Sequence, residues 1–106
     1  MSIDSAKDEH YNEFYSSLPL EVKEAIFCIV QEMQSAIKQH PEWPTDIVHQ
    51  AAIIGEEAGE LLRATINHTY EKKCWSEIHI EAIQTAGTCV RLLTNITETM
   101  NQNLVI

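Results

Sequence analysis

The stretch Ile47–His68, IVHQAAIIGEEAGELLRATINH, decides how this chain folds. Ile47, Ala51, Ile54, Ala58, Leu61 and Thr65, with Leu62 alongside, recur at intervals of three and four, the period of a helix with one buried face. Its middle, Gly55-Glu-Glu-Ala-Gly-Glu60, crowds three carboxylates and two glycines within two turns. Glycine inside a helix costs about 1 kcal/mol against alanine. Like charges one turn apart cost roughly 0.2–0.5 kcal/mol per pair. A helix that keeps both has a use for them.

Working outward, Thr45 or Asp46 can cap this helix, and His40-Pro-Glu-Trp-Pro-Thr45 separates it from an earlier one. That earlier helix starts with Pro19 in its first turn and runs to about Gln39, with Val22, Ile26, Ile29, Met33 and Ile37 as its apolar stripe. Residues 1–18 are polar around Tyr11, Phe14 and Tyr15 and read as a short helix or an arm. Downstream, Tyr70 to Trp75 reads as a loop, and Ser76 followed by Glu77 as the start of a third long helix. It reaches about Met100 and is expected to bury Ile80, Ile83, Ala86 or Gly87, Val90, Leu93 and Ile96. Residues 101–106, NQNLVI, read as a tail or an oligomer contact. Nothing alternates with period two. The expectation is an all-α antiparallel helical bundle of three long helices plus a short terminal one, forming a single domain over residues 19–100.

The chain has 106 residues, 44% apolar and 22% charged, which is a globular composition. One domain of this size buries a modest share of its surface, so self-association is expected. A net charge of −9 with seven scattered Lys and Arg argues against binding a nucleic acid polymer. Cys28, Cys74 and Cys89 form no CxxC pair and fit reduced thiols, hence a cytoplasmic setting. No signal-peptide pattern or membrane-length apolar run is present, so no membrane partner is expected.

Glu57 and Glu60 are three residues apart and share a helix face, with Glu56 at its edge. Glu81 and Gln84 repeat that spacing on the next helix. In an antiparallel pair the two sets fall at similar heights and face one another. Their charges repel, and one or two Mg²⁺ ions between them would reverse that, since hard cations take carboxylate oxygens. Gly55 and Gly59 make a notch that another helix or a ligand can approach closely.

These residues resemble the signature of the MazG-like, all-α nucleoside triphosphate pyrophosphohydrolases, EExxE on one helix and ExxD on the next. The first half stands as Glu56-Glu57-Ala58-Gly59-Glu60 and the second as Glu81-Ala82-Ile83-Gln84, with glutamine where the family usually has aspartate. The resemblance spans residues 20–97 and implies a four-helix MazG-like architecture. It implies Mg²⁺-dependent hydrolysis, with Mn²⁺ as a substitute, of a (deoxy)nucleoside triphosphate to the monophosphate and pyrophosphate. It also implies Glu57, Glu60, Glu81 and Gln84 as metal ligands, Glu56 as the catalytic residue that assists the metal shell or orients water, and a homodimer or homotetramer. Gln84 brings an oxygen without charge, which leaves open a catalytically weak or inactive nucleotide-binding module.

Trp43 is a candidate for stacking on a nucleobase, or a staple over the helix start. Arg91, on the same face as Gln84 two turns on, is a candidate phosphate contact, or a surface ion pair. Lys72 and Lys73 read as solvated loop residues, His49 as lining the cleft or merely exposed, His79 as a capping residue, and Trp75 as packing under the loop. A di-iron centre would want Glu-x-x-His on two helices, and the chain offers only Asp46-x-x-His49.

Overall fold

The computed structural model describes residues 5–103, four helices with no strand among them: α1 Ser5–Ser17, α2 Leu20–Gln39, α3 Ile47–Glu71 and α4 Trp75–Asn103. The all-helical bundle expected from the sequence is present. No helix among the described residues is long and apolar enough to cross a membrane. Residues 1–4 at the start of the expected arm and 104–106 of the expected tail lie outside the described residues.

Local chemistry sets the helix ends. Pro19 is the N-cap of α2 rather than part of its first turn, in an extended conformation that α1 does not continue through. Of the two cap candidates for α3, Asp46 does the work: its Oδ2 accepts from the His49 N–H at 2.9 Å. Lys72, at φ 55, closes α3 in the left-handed conformation, and the Lys73 N–H returns to the Asn67 carbonyl. The loop is therefore only Lys72–Cys74, shorter than expected, and α4 begins at Trp75. Ser76 is not its cap; it lies inside the helix, and its N–H donates to Cys74 Sγ at 3.5 Å.

α4 is the central element, packed against α3 on one side and α2 on the other. The short turn makes α3 and α4 antiparallel. At one end the His68 and Trp75 ring centroids lie 3.9 Å apart with the planes tilted by 45°; at the other Gln50 Nε2 donates to Thr99 Oγ1 at 2.9 Å. α2 runs alongside α4 in the same direction, and at Gly87 a Cβ would lie 3.7–3.8 Å from Ile29 and Met33.

The buried face of α3 differs from the expected one. Ala51, Ala58 and Leu62 are exposed, and the face toward α4 is Gln50, Ile54, Glu57, Leu61 and Ala64. On α4, Ile80 and Leu93 are exposed, while Gly87, Arg91 and Thr99 are buried. On α2, Val22 and Ile37 stay more than a third exposed. The reason is common to all three helices. Each is apolar on more than one side, so periodicity alone could not choose the buried one, and the seam taken by α3 and α4 is partly polar.

The molecule is a plate. Its extents are 54 × 43 × 20 Å and its radius of gyration is 17.0 Å, against about 13 Å for a compact domain of this length. It exposes 8248 Å², roughly 2,000 Å² more than a compact monomer of its mass. Ala64 is the one apolar residue among those described that is buried outright, while Tyr11, Phe14, Leu20, Phe27, Val48 and Leu62 are more than half exposed.

Candidate metal centre

The α3–α4 seam brings three predicted ligands together. Glu57 and Glu60 of α3 and Glu81 of α4 each place one carboxylate oxygen within 4.8 Å of the others. Glu57 and Glu81 are half-buried and Glu60 is exposed. Glu57 Oε2 and Glu81 Oε2 are both buried with no hydrogen-bond partner. A buried carboxylate oxygen without a donor is costly, and here two of them belong to one acidic group.

The electrostatics follow. Burial pushes the Glu57 carboxyl above its ordinary range, and the charges of Glu60, Glu81, Glu56 and Glu32 push it further. Burial likewise raises Glu81, helped by the neighbouring charges of Glu60 and Glu77. Both shifts say that a fully ionised group is uncomfortable as the chain stands. Oxygen donors at this separation suit a hard divalent cation such as Mg²⁺ or Mn²⁺, and a cation would supply the missing partner to the orphan oxygens.

Gln84 lies one turn beyond Glu81. With Glu32, Ser35, Glu57, Thr88 and Arg91 it lines a cleft of about 350 Å³ where α2, α3 and α4 meet. Glu56 is exposed beside Glu57 and outside the three-carboxylate group.

Trp43 and Arg91 are brought to each other. The Arg91 guanidinium sits 4.7 Å from the Trp43 ring centroid, and its Nη2 donates to the His40 carbonyl at 2.8 Å and the Glu42 carbonyl at 3.4 Å. Arg91 is 7% exposed, not a surface residue, and burial lowers its pKa. It lines the cleft that holds Glu57 and Gln84; Trp43 lines a neighbouring cleft of about 210 Å³ with Asn95, Glu98 and Thr99. The Trp43 indole Nε1 is buried without an acceptor.

Two residues matter that sequence reasoning did not single out. Glu32 reaches the site from α2, where it lines the cleft and adds to the charge felt by Glu57. Its signal was its place beside Met33 and three residues after Ile29 on the α2 stripe. Gln50 is fully buried, and its Nε2 donates to the Pro44 carbonyl at 2.8 Å as well as to Thr99. No sequence pattern marked it. The other candidates lie elsewhere. Lys72 and Lys73 belong to the α3–α4 turn, His79 lines a small apolar cleft with Ala25 and Ile83, and Trp75 lies against the His68 ring at a tilt.

Comparison of the chain with protein-family models, with curated proteins and with solved structures finds no match.

Proposed function

We propose that this protein is a divalent-metal-dependent nucleotide pyrophosphohydrolase of the MazG-like kind, which converts a (deoxy)nucleoside triphosphate to the monophosphate and pyrophosphate. The observation that carries the reading is the group formed by Glu57, Glu60 and Glu81, drawn from two helices to within 4.8 Å, with two buried oxygens that have no donor. An exposed acidic face would leave those oxygens to water.

Glu57, Glu60 and Glu81 would hold the cation, and Gln84, one turn from Glu81 at the edge of the cleft, would add a neutral oxygen. A bound Mg²⁺ or Mn²⁺ supplies neutralisation of the polyphosphate and a usable water nucleophile near neutral pH. The chain's own residues do the rest. Glu56, exposed at the rim beside Glu57, orients the attacking water and accepts its proton. The water oxygen would bond to the α-phosphorus as the bond from that phosphorus to the α–β bridging oxygen breaks, leaving the monophosphate and releasing pyrophosphate. Arg91 lines the adjoining cleft with its guanidinium over the Trp43 ring, so the pair enters this reading as substrate-side residues held in place by the α2–α3 loop. A chain of charge −9 draws a polyanion only through cations, which accords acidic protein with anionic substrate.

The excess exposed surface supports a homo-oligomer, a dimer or a dimer of dimers, because a plate with so little buried apolar surface gains stability by being covered. Gln84 favours one second reading, a nucleotide-binding module without turnover. Pyrophosphate release measured across all NTPs and dNTPs with Mg²⁺ or Mn²⁺ tests the two. Turnover that Glu60→Ala abolishes is expected; no turnover at high metal leaves the module, and turnover unchanged in Glu60→Ala removes the assignment of the site.

A further inference from the structure

The cleft of about 210 Å³ beside Trp43 lies between the α2–α3 loop and the C-terminal part of α4. Pro41, Trp43 and Pro44 line it from the loop, and Asn95, Glu98 and Thr99 from the helix. Asn95 stands fourteen residues beyond Glu81, about 21 Å along α4, so this cleft is separate from the three-carboxylate group. Two buried polar atoms meet here without a partner among the described residues: the Trp43 indole Nε1, a donor, and Gln50 Oε1, an acceptor. Gln50 is 0% exposed, and its amide bridges two of the lining residues, with Nε2 donating to the Pro44 carbonyl at 2.8 Å and to Thr99 Oγ1 at 2.9 Å. A carbonyl only accepts, so the amide cannot be turned round, and the unpartnered atom is fixed as the oxygen. The Thr99 hydroxyl spends its hydrogen on the Asn95 carbonyl at 3.0 Å. Donation to the Arg91 carbonyl at 2.8 Å fixes the Asn95 amide in the same way. The Arg91 guanidinium lies over the Trp43 ring, which leaves the N–H on the ring edge as the polar group Trp43 offers.

We infer that this cleft binds a small neutral ligand carrying a primary carboxamide, its C=O accepting from Trp43 Nε1 and its N–H donating to Gln50 Oε1. The walls select that class. Among the described residues no Lys, Arg or His lines the cleft, and Glu98 does, which turns anions away. One carboxylate is too few to hold a divalent ion. The volume falls below the roughly 300 Å³ at which pockets begin to take drug-sized ligands, so the occupant is smaller than a nucleotide. An orphan donor beside an orphan acceptor calls for a ligand with both functions. An ammonium group has no acceptor for the indole, and a ketone has no donor for Gln50. A carboxamide also brings two hydrogens for the acceptors gathered here, Gln50 Oε1, Asn95 Oδ1 and the Glu98 carboxylate, where a hydroxyl brings one. The inference does not rest on the metal reading.

The test takes acetamide as the probe and the Trp43 indole N–H as the reporter, in a nitrogen-correlated proton NMR titration of the full chain in EDTA without nucleotide. Trp75, the other tryptophan, is 69% exposed beside His68 at the far end of the bundle and serves as the internal control. The expected result is a saturable downfield shift of the Trp43 signal, with a Kd on the order of millimolar for so small a ligand, and no shift of Trp75. N,N-dimethylacetamide keeps the C=O and loses both N–H groups, and methylammonium has donors alone; each should bind about tenfold more weakly. Gln50→Met, which keeps the length of the side chain and removes the acceptor, should weaken acetamide by about the same factor. A Trp43 signal that acetamide does not move overturns the site and leaves the cleft to water. Either control binding as tightly as acetamide overturns the ligand class, and undiminished binding by Gln50→Met overturns the assignment of the acceptor. Should Gln50→Met fail to fold, the three probes on the wild type decide the proposal alone.

Discussion

Neutralising Glu57 should stabilise the metal-free protein and abolish its response to metal. Glu57 has Glu60 and Glu81 oxygens within 4.8 Å. Two unit charges at that distance repel by about 0.9 kcal/mol in water and about 3.5 kcal/mol at the effective dielectric of a partly buried site. Glu60 is exposed and Glu57 half-buried, which places the two pairs toward the watery end, on the order of 2 kcal/mol together. Glu57→Gln keeps the shape of the side chain and removes that repulsion. For a domain of this size the gain corresponds to a rise in Tm of roughly 10 °C in EDTA. The wild type should recover a comparable gain when Mg²⁺ or Mn²⁺ is added, because a ligand that binds only the native state stabilises it. The variant should not respond. Thermal unfolding followed by circular dichroism, with EDTA and with metal, reads all four numbers. A variant less stable than the wild type in EDTA, with an undiminished response to metal, would show that the three carboxylates neither repel one another nor hold the ion.

Four further outcomes are expected. Without metal, stability should fall as pH rises from 4.5: the folded-state pKa values of Glu57 and Glu81 lie above that ordinary value, so the native chain holds protons that the unfolded chain releases, and the penalty is absent below 4.5 and complete above the raised values. Urea unfolding across that range in EDTA checks the sign, and Mg²⁺ should flatten the slope. Gln84→Asp should raise Mg²⁺ affinity on the order of tenfold by calorimetry, since it returns a charge to the donor set. Arg91→Lys should cost about 2 kcal/mol by chemical denaturation, because a single ammonium cannot both hold the His40 and Glu42 carbonyls and sit over the Trp43 ring. Lys72→Gly should gain up to about 1 kcal/mol by relieving the one left-handed non-glycine residue among those described.

The helices were legible because their boundaries are chemical. The proline-rich His40–Thr45 segment, the capping Asp46 and the long 3-and-4 spacings fix where helices stop and start. The convergence of Glu57, Glu60 and Glu81 was legible too, since three-residue spacing on two helices joined by a short turn leaves little freedom in their relative heights. The buried faces were not. α3 presents apolar residues on both sides, and the side that meets α4 carries Gln50 and Glu57, which a hydrophobic pattern assigns to solvent. Arg91 was misplaced as a surface residue for a related reason: a buried guanidinium is stable only with its loop carbonyls in place, and no local pattern announces a loop folding back over fifty residues. Glu32 reaches the carboxylates across a helix pair whose register the sequence does not encode locally.

Whether Glu57, Glu60 and Glu81 hold a divalent cation is read by titrating the metal-free protein at neutral pH with Mn²⁺ and following the loss of the free-ion electron paramagnetic resonance signal. The titration should be run for the wild type and for Glu57→Gln/Glu60→Gln/Glu81→Gln. Ion uptake by the wild type that disappears in the triple variant is the predicted result. A wild type that binds no Mn²⁺ at millimolar concentration, or a triple variant that binds it equally well, would contradict the account.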